Sequence, residues 1–409
     1  MPLSCAMRTE NVQSLYLAER KGFFMNLRAV VVTGAFLATL GGVTVVNLLA
    51  PQREFSDTEN RTLQTFPALS ADEIFSGRFM TAFDTYASDQ FVGRDAWVGL
   101  KSTAQFAALN KDNGRVYFGR DGYLFEKTEA YDSSLVQANC EAVASFIDKA
   151  RALSPGLDAR VMLVPTAAAI LPEKLPPLAP VPTQAAVIDS MRQAVGETAL
   201  VDPTGWLSRH KEQGLYYRTD HHWTTAGAYI GYLALMEGRT DGTLFGLDDF
   251  ERRTVAEDFY GTIQSKCGLP WIRPDTMEIF YNPEQDGCTV TWEDGSLDGL
   301  YDPSFLQTKD KYAYFLGGNH PLTRVATGTK NGKTLLLLKD SYANAMVPFL
   351  TQHYETIVLV DLRYYRDSLL PLFEEGVDDL LILYNVSGFA AEKTVAANLP
   401  LVLPEEIKK

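Results

Sequence analysis

The sequence predicts an α/β protein: a parallel sheet of about five strands covered by helices on both faces, in three α/β/α layers, behind one transmembrane helix. Three observations predict it. Short, continuous apolar runs recur at 160–164, 199–202, 334–338, 356–360 and 379–384. Segments of helical periodicity lie between and beside them, at 133–153, 184–195, 342–352 and 366–375. Apolar strands that alternate with helices are those of a parallel sheet buried on both sides. The third observation is an uncharged run near the N-terminus, from Ala29 to Ala50.

That run holds about 22 residues, which at roughly 1.5 Å rise each span roughly 33 Å, against a hydrocarbon core of about 30 Å. Arg20, Lys21 and Arg28 precede it. By the positive-inside rule they leave residues 1–28 in the cytoplasm and put the body outside the membrane. A cleaved signal peptide is the competing reading, but its apolar region would be shorter, and Leu48 before Ala50 makes a poor small-x-small cleavage site. A buried core helix rarely runs so long without a charge. Either membrane reading exports the body.

Of 409 residues, 51 are acidic and 37 basic, a net charge of -14. This excludes nucleic acid as the natural partner, because phosphate neutralisation needs clustered Lys and Arg. Four cysteines are too few for a disulfide scaffold. Cys267 and Cys288 lie in the exported, loop-rich stretch and are a possible pair, whereas Cys140 sits in a helical pattern and reads as buried.

Residues 51–115 read as a helical stalk that folds back onto the main domain. Ser70 and Glu73 form a capping box, and Phe79, Met80, Phe83 and Tyr86 recur at helical spacing as a packing face. A hairpin, Val116–Phe118 and Tyr123–Phe125 around Gly119–Gly122, opens the body at 116–409. Residues 240–310 are rich in Gly, Asp, Pro and aromatics and read as an insertion or lid at the sheet edge. Trp271, Tyr281, Trp292 and Tyr301 in it are packing residues or platforms for sugar rings. No Gly-rich phosphate loop or CxxC pair occurs, so no cofactor is expected.

Chemistry concentrates in two places. The first is Thr219-Asp220-His221-His222-Trp223-Thr224, ahead of a helix that Thr224 or Thr225 caps. In extended backbone, residues i and i+2 share a face, so Asp220 can orient and charge-stabilise the His222 imidazole. The second is Lys339-Asp340-Ser341-Tyr342, where an apolar strand ends and a helix begins. A serine there sits at the carboxyl edge of a parallel sheet, where open α/β folds bind ligands. The helix start offers free N–H donors to an oxyanion. The bland readings are an N-cap serine and a metal site made from Asp220, His221 and His222 with His320, Asp202 or Asp361. Adjacent histidines point to opposite faces of an extended segment, which argues against a metal. His210 and His353 read as ordinary packing or surface residues.

The TDHHWT segment resembles the signature of the DHHW family of bacterial membrane-anchored proteins, which is similar to the SGNH-hydrolase-like domains of alginate O-acetyltransferases. The resemblance also rests on FSDTENRTLQTFP after the anchor, VYFGRDGYLF, VPT at 164–166, FLGGNHP at 315–321, LLLKDSYANAMVPFL at 336–350, and DLRYY with ILYNV downstream. It implies an SGNH-like, flavodoxin-like sheet and a triad of Asp220, His222 and Ser341, with Asp and His ahead of Ser in the chain. It makes Asn385 similar to the superfamily's oxyanion asparagine, with Asn344 and Asn319 as rivals. Arg363, Tyr364, Arg218 and His221 are the further candidates for substrate contact.

The resulting expectation is a membrane-anchored, extracytoplasmic O-acyltransferase or esterase, acting by acetyl transfer to or from a cell-surface polysaccharide. A body outside the membrane cannot reach cytoplasmic acyl-CoA. A multi-pass membrane O-acyltransferase is therefore the expected acyl-supplying partner. The alternative is a non-catalytic glycan-binding or scaffold component of a cell-envelope complex.

Overall fold

The structure, a computed structural model, describes residues 7–56, 61–237, 239 and 244–403. Residues 1–6 of the expected cytoplasmic segment, 57–60 of the FSDTENRTLQTFP motif and 240–243 at the start of the expected insertion lie outside these. The described residues form two compact units, one of residues 7–56 and 61–94, the other of residues 95–403.

The first unit begins with α1 (Met7–Leu49). Its segment Leu27–Leu49 is long and apolar enough to cross a membrane, and none of it is buried inside the protein. The hydroxyls of Thr39 and Thr44 donate to the carbonyls of Ala35 and Leu40, both at 2.8 Å, so these two hydroxyls are satisfied within the helix. Beyond it, Ser70 caps the helix Ala71–Phe75 by accepting the Glu73 N–H. Phe79, Phe83 and Tyr86 of the next helix gather around Phe66 at 5.3–6.4 Å between ring centroids. Met80, expected on the same face, is exposed. The aromatic stripe is a packing face.

The second unit begins with α2 (Arg94–Ala107). Gly99 meets Gly268 so closely that a Cβ on Gly99 would lie 2.7 Å from the Gly268 carbonyl oxygen. The expected stalk is therefore divided, its last helix lying against the body. The hairpin Val116–Phe118 with Leu124–Glu126 follows, antiparallel.

The body is built on one eight-stranded sheet. Its strands are β1 (Asp158–Val164), β2 (Leu200–Val201), β3 (Thr289–Trp292), β4 (Gly295–Asp298), β5 (Leu322–Ala326), β6 (Thr334–Lys339), β7 (Thr356–Val360) and β8 (Asp379–Asn385). The spatial order is β4-β3-β5-β7-β6-β8-β1-β2. The five expected strands are mutually parallel. The expectation of a sheet of only about five strands is corrected, because β5, β3 and β4 add antiparallel to the β7 edge. Their sequences hide them: antiparallel strands with one solvated face carry alternating rather than continuous apolar residues. The 240–310 stretch is accordingly more than a lid, since it supplies β3 and β4 to the sheet.

Successive leucines of β6 face opposite sides. Leu335 and Leu337 pack with Ile357, Leu359, Leu381 and Leu383 beneath α5 (Thr225–Met236). Leu336 and Leu338 pack with Val358, Val360, Leu380 and Ile382 beneath α3 (Ser133–Leu153), α4 (Gln184–Val195) and α6 (Lys393–Val402). Burying each such side chain is worth about 1.5–3 kcal/mol, which fixes both faces and the register. Cys267 and Cys288, the possible pair, are free buried thiols in different clusters.

Counted from β6, the parallel strands lie in the order 2-1-3-4-5, the order of flavodoxin. The chain is thus a cyclic permutation of that arrangement. The strand that leads to Ser341 comes third in sequence but first in the topology, so Asp220 and His222 precede Ser341. In such sheets ligands bind beyond the carboxyl ends of strands where the winding reverses, here β6 and β8.

Candidate active site

Ser341 follows β6 in a 3₁₀ turn capped by Asp340, whose Oδ1 accepts the Tyr342 N–H at 2.9 Å. As the first residue of that turn, Ser341 keeps an orphan N–H. Asp340 Oδ2 reaches across to β8 and accepts both the backbone N–H (2.8 Å) and the side-chain Nδ2 (2.7 Å) of Asn385.

Asp220 and His222 sit in a turn whose ends, Tyr216 and Trp223, make an antiparallel bridge. The segment is not extended. Asp220 Oδ1 accepts the His222 backbone N–H at 2.9 Å, an Asx-type turn, and the same oxygen takes His222 Nδ1 at 2.6 Å. The turn also brings the His221 and His222 rings within 3.9 Å of each other, where an extended segment would separate them. Thr224 is the residue that caps α5, accepting from Gly227 N–H.

Two hydrogen bonds lock this turn to the serine turn. The buried Trp223 donates its Nε1–H to the Tyr342 carbonyl at 2.9 Å, and the Tyr342 hydroxyl donates to the His221 carbonyl. His222 Nε2 then lies 2.7 Å from Ser341 Oγ. Asp220, His222 and Ser341 form one unbroken hydrogen-bonded chain.

Of the residues around it, Thr262 and Tyr312 come from stretches without a local signal. Thr262 donates its N–H (2.8 Å) and hydroxyl (3.1 Å) to Asp220 Oδ2, which completes that carboxylate. Tyr312 stacks on the His222 ring at 3.7 Å and 10°. Lys339, almost wholly buried, donates to the side-chain oxygens of Asn319 and Asn344, both at 2.7 Å. This leaves both amide nitrogens turned away from it, and Asn344 Nδ2 makes only long contacts of 3.3 and 3.4 Å.

Burial works to raise the Asp220 pKa, but the neighbouring His221 and His222 outweigh it and hold the carboxyl well below its usual range. Burial, with the charge of His221, pushes His222 down to about 4 against the pull of Asp220. Burial likewise pushes Lys339 down to about 8 and Asp340 up, the latter against the N–H groups of Asn385 and Tyr342. The imidazole is thus neutral and the Asp220 carboxylate ionised at neutral pH.

The other expected residues divide. Asn385 has both ends of its amide engaged, Nδ2 on Asp340 and Oδ1 on the Gly388 N–H at 2.7 Å. Arg363 grips Asp361 through Nε and Nη2 (2.9 and 2.6 Å) and lines the site, with Tyr364 exposed beside it. Arg218 points elsewhere, donating to Asp275 and the Pro274 carbonyl. His221 donates to or accepts from the Thr262 hydroxyl at 2.9 Å. Of the aromatic candidates, Trp292 stacks on His320, Tyr301 on Tyr314, and Tyr281 lies under Arg253. Trp271, half-exposed against Phe106, is the freest of the four.

The donor atoms of Asp220, His221 and His222 lie within 4.8 Å of one another, as a metal site needs. The Asp220 oxygens, both His222 ring nitrogens and His221 Nδ1 are engaged with one another, Thr262 and Ser341. His320 stacks on Trp292, and Asp202 and Asp361 are bound by Arg192 and Arg363.

Two cavities meet at Ser341. One of about 490 Å³ runs along the hairpin and the end of β8, past Tyr131, Gln184, Tyr384 and Asn385. The other, of about 240 Å³, is walled by Tyr312, Lys309, Asn319 and Asn344. Asp220, His221 and Arg363 border both.

Comparisons with known proteins bear on the fold. Over 176 residues the chain is 24% identical to Probable alginate O-acetylase AlgJ of Pseudomonas fluorescens, covering 42% of this chain and 45% of that protein. The chain thus spans about half the length of the curated relatives it matches. A DHHW family protein from Eubacterium siraeum has the same fold at 24% identity and a TM-score of 0.56, over 69% of this chain and 97% of that one. The structure of Bacillus cereus PatB1 with a sulfonyl adduct aligns at 18% identity and a TM-score of 0.57, over 68% of this chain and 97% of that one. Residues 184–360, which carry Asp220, His222 and Ser341, match the family described as DHHW protein, so over that segment the chain is similar to that family.

Proposed function

We propose that this chain is an SGNH-like O-acyltransferase or esterase, anchored in the membrane by Leu27–Leu49 with its body on the extracytoplasmic side. It moves an acetyl group to or from a cell-surface polysaccharide. The observation that carries the proposal is the hydrogen-bonded chain from Asp220 through His222 to Ser341, at 2.6 and 2.7 Å, at the reversal point of the sheet. The acetylase named among the relatives supports acetyl as the group.

In the proposed reaction Ser341 Oγ attacks the acyl carbonyl and its proton passes to His222 Nε2. Asp220, ionised, stabilises the imidazolium through Nδ1–H. The oxyanion forms on the side of the smaller cavity, against the Ser341 N–H and the Asn344 amide, whose orientation Lys339 holds. His222 returns the proton to the leaving group, and Ser341 carries the acyl ester. A sugar hydroxyl, or water in an esterase, then gives its proton to His222 and attacks that ester, and His222 passes the proton to Ser341 Oγ as it leaves. General-base and oxyanion effects of this kind each contribute on the order of a hundredfold or more in rate. The acyl group reaches Ser341 from a multi-pass membrane O-acyltransferase.

The test uses the full chain in detergent with p-nitrophenyl acetate. Wild type is expected to hydrolyse it, with Ser341→Ala and His222→Ala both inactive. Equal rates in wild type and Ser341→Ala would remove the proposal.

A further inference from the structure

We infer that the larger cavity takes a glycan free of carboxylates, neutral or amine-bearing, rather than a polyuronate. This rests on the reading of Ser341 as the acyl-carrying serine, and it names the acceptor class.

A uronate chain needs cations with free donors, above all an arginine whose fork can grip a carboxylate. Besides His221, the larger cavity has one lysine and one arginine in its wall, and each already holds a carboxylate. Arg363 already holds Asp361 with two donors, at 2.9 and 2.6 Å. Lys127 lies 3.1 Å from Asp112 Oδ1 and over the Tyr117 ring.

The carboxylates of the same wall are not matched in this way. Glu126 is paired with Lys266. Glu129 is exposed and has no ion pair among the described residues. Glu392 takes only the N–H and hydroxyl of Thr394, and Asp340 only N–H groups. The wall therefore keeps negative charge, in a chain of net charge -14. A polyanion entering it meets repulsion with no unpaired lysine or arginine to receive it.

What the wall offers instead suits hydroxyls. Gln184 lines it with both ends of its amide on Thr166, and Tyr131 and Ser387 line it as a hydroxyl pair 2.9 Å apart. Tyr384, 2% exposed, also lines it and has a hydroxyl with no hydrogen-bond partner. A buried hydroxyl left unpaired is unusual and marks a place where a ligand's polar atom completes the site.

The experiment is calorimetric titration of the full chain in detergent at low salt with three hexasaccharides: a neutral β-1,4-glucan, its amine-bearing glucosamine counterpart and an oligogalacturonate. Binding is read directly, so the result does not depend on turnover, and p-nitrophenyl acetate hydrolysis separately reports whether the catalytic reading holds. At least one carboxylate-free hexamer is expected to bind tenfold or more tightly than the uronate, with the gap narrowing as salt is raised. Glu129→Lys is expected to narrow it too. Uronate binding as tight as the others, or no binding by either carboxylate-free hexamer, overturns the inference.

Discussion

His222 Nε2 and Ser341 Oγ, 119 residues apart in the chain, lie 2.7 Å from each other because, beside them, Trp223 donates to the Tyr342 carbonyl and the Tyr342 hydroxyl donates to the His221 carbonyl. The neighbours of the two functional residues, rather than those residues themselves, hold the serine turn against the histidine turn. The geometry follows from the cyclic permutation of the sheet, which brings the end of β6 opposite the loop before α5.

The depressed pKa of His222 sets the pH profile. A general base works when neutral, so activity falls as pH drops through its pKa. At about 4 rather than the ordinary 6.5, that acid limb lies well below neutrality. Hydrolysis of p-nitrophenyl acetate is expected to stay level down to about pH 5. Burial is the main cause and the His221 charge the next, so His221→Asn is expected to move the limb upward. An acid limb in wild type at 6.5 or above, unmoved by His221→Asn, would count against this electrostatic account.

Gly261 is a second control point. A Cβ on it would overlap the Asp220 carboxylate. Gly261→Ala is therefore expected to displace Asp220 and lower kcat by about a hundredfold or more, on the scale of losing the base's orienting group. Thr262→Val removes one of the two donors to Asp220 Oδ2 and keeps the backbone one. A hydrogen bond to a charged group is worth about 1.5–3 kcal/mol, so a loss of about tenfold is expected. Steady-state kinetics on both variants, with circular dichroism to confirm folding, reads the two effects.

The oxyanion assignment separates Asn344 from Asn385. Asn344→Ala and Lys339→Met are each expected to lower kcat by about tenfold or more, the scale of losing one oxyanion donor, with KM within about twofold. The double variant is expected to be no worse than either alone, because Lys339 acts through that amide. Asn385→Ala is expected to act on stability, since it removes a helix cap and a donor to Asp340, a loss of about 1–2 kcal/mol. Thermal unfolding and the kcat against KM comparison distinguish the two patterns. A tenfold loss of kcat in Asn385→Ala with Asn344→Ala unaffected would reverse the assignment.

The five parallel strands were legible because each is a continuous apolar run such as Leu335–Leu338, a pattern that few other elements share. Strands β3, β4 and β5 were not, because an antiparallel strand such as Leu322–Ala326 carries Thr and Arg among its apolar residues. The two segments that meet at the site were legible as motifs. Their supporting residues were not: Thr262 lies 42 residues beyond Asp220, and nothing local marks it as its partner. The same distance effect misdirects the reading of Arg218, whose guanidinium is taken by Asp275, 57 residues on. Even the Asp220–His222 pair has a different geometric origin, an Asx turn in place of an extended strand.

The central claim is that Ser341 is the nucleophile, and covalent trapping tests it most directly. The full chain in detergent is treated with a fluorophosphonate, digested, and its adduct mapped by peptide mass spectrometry. One adduct on Ser341, formed far more slowly in His222→Ala, is the predicted result. An unmodified Ser341 in folded wild-type protein, or an adduct on a different residue, would contradict it.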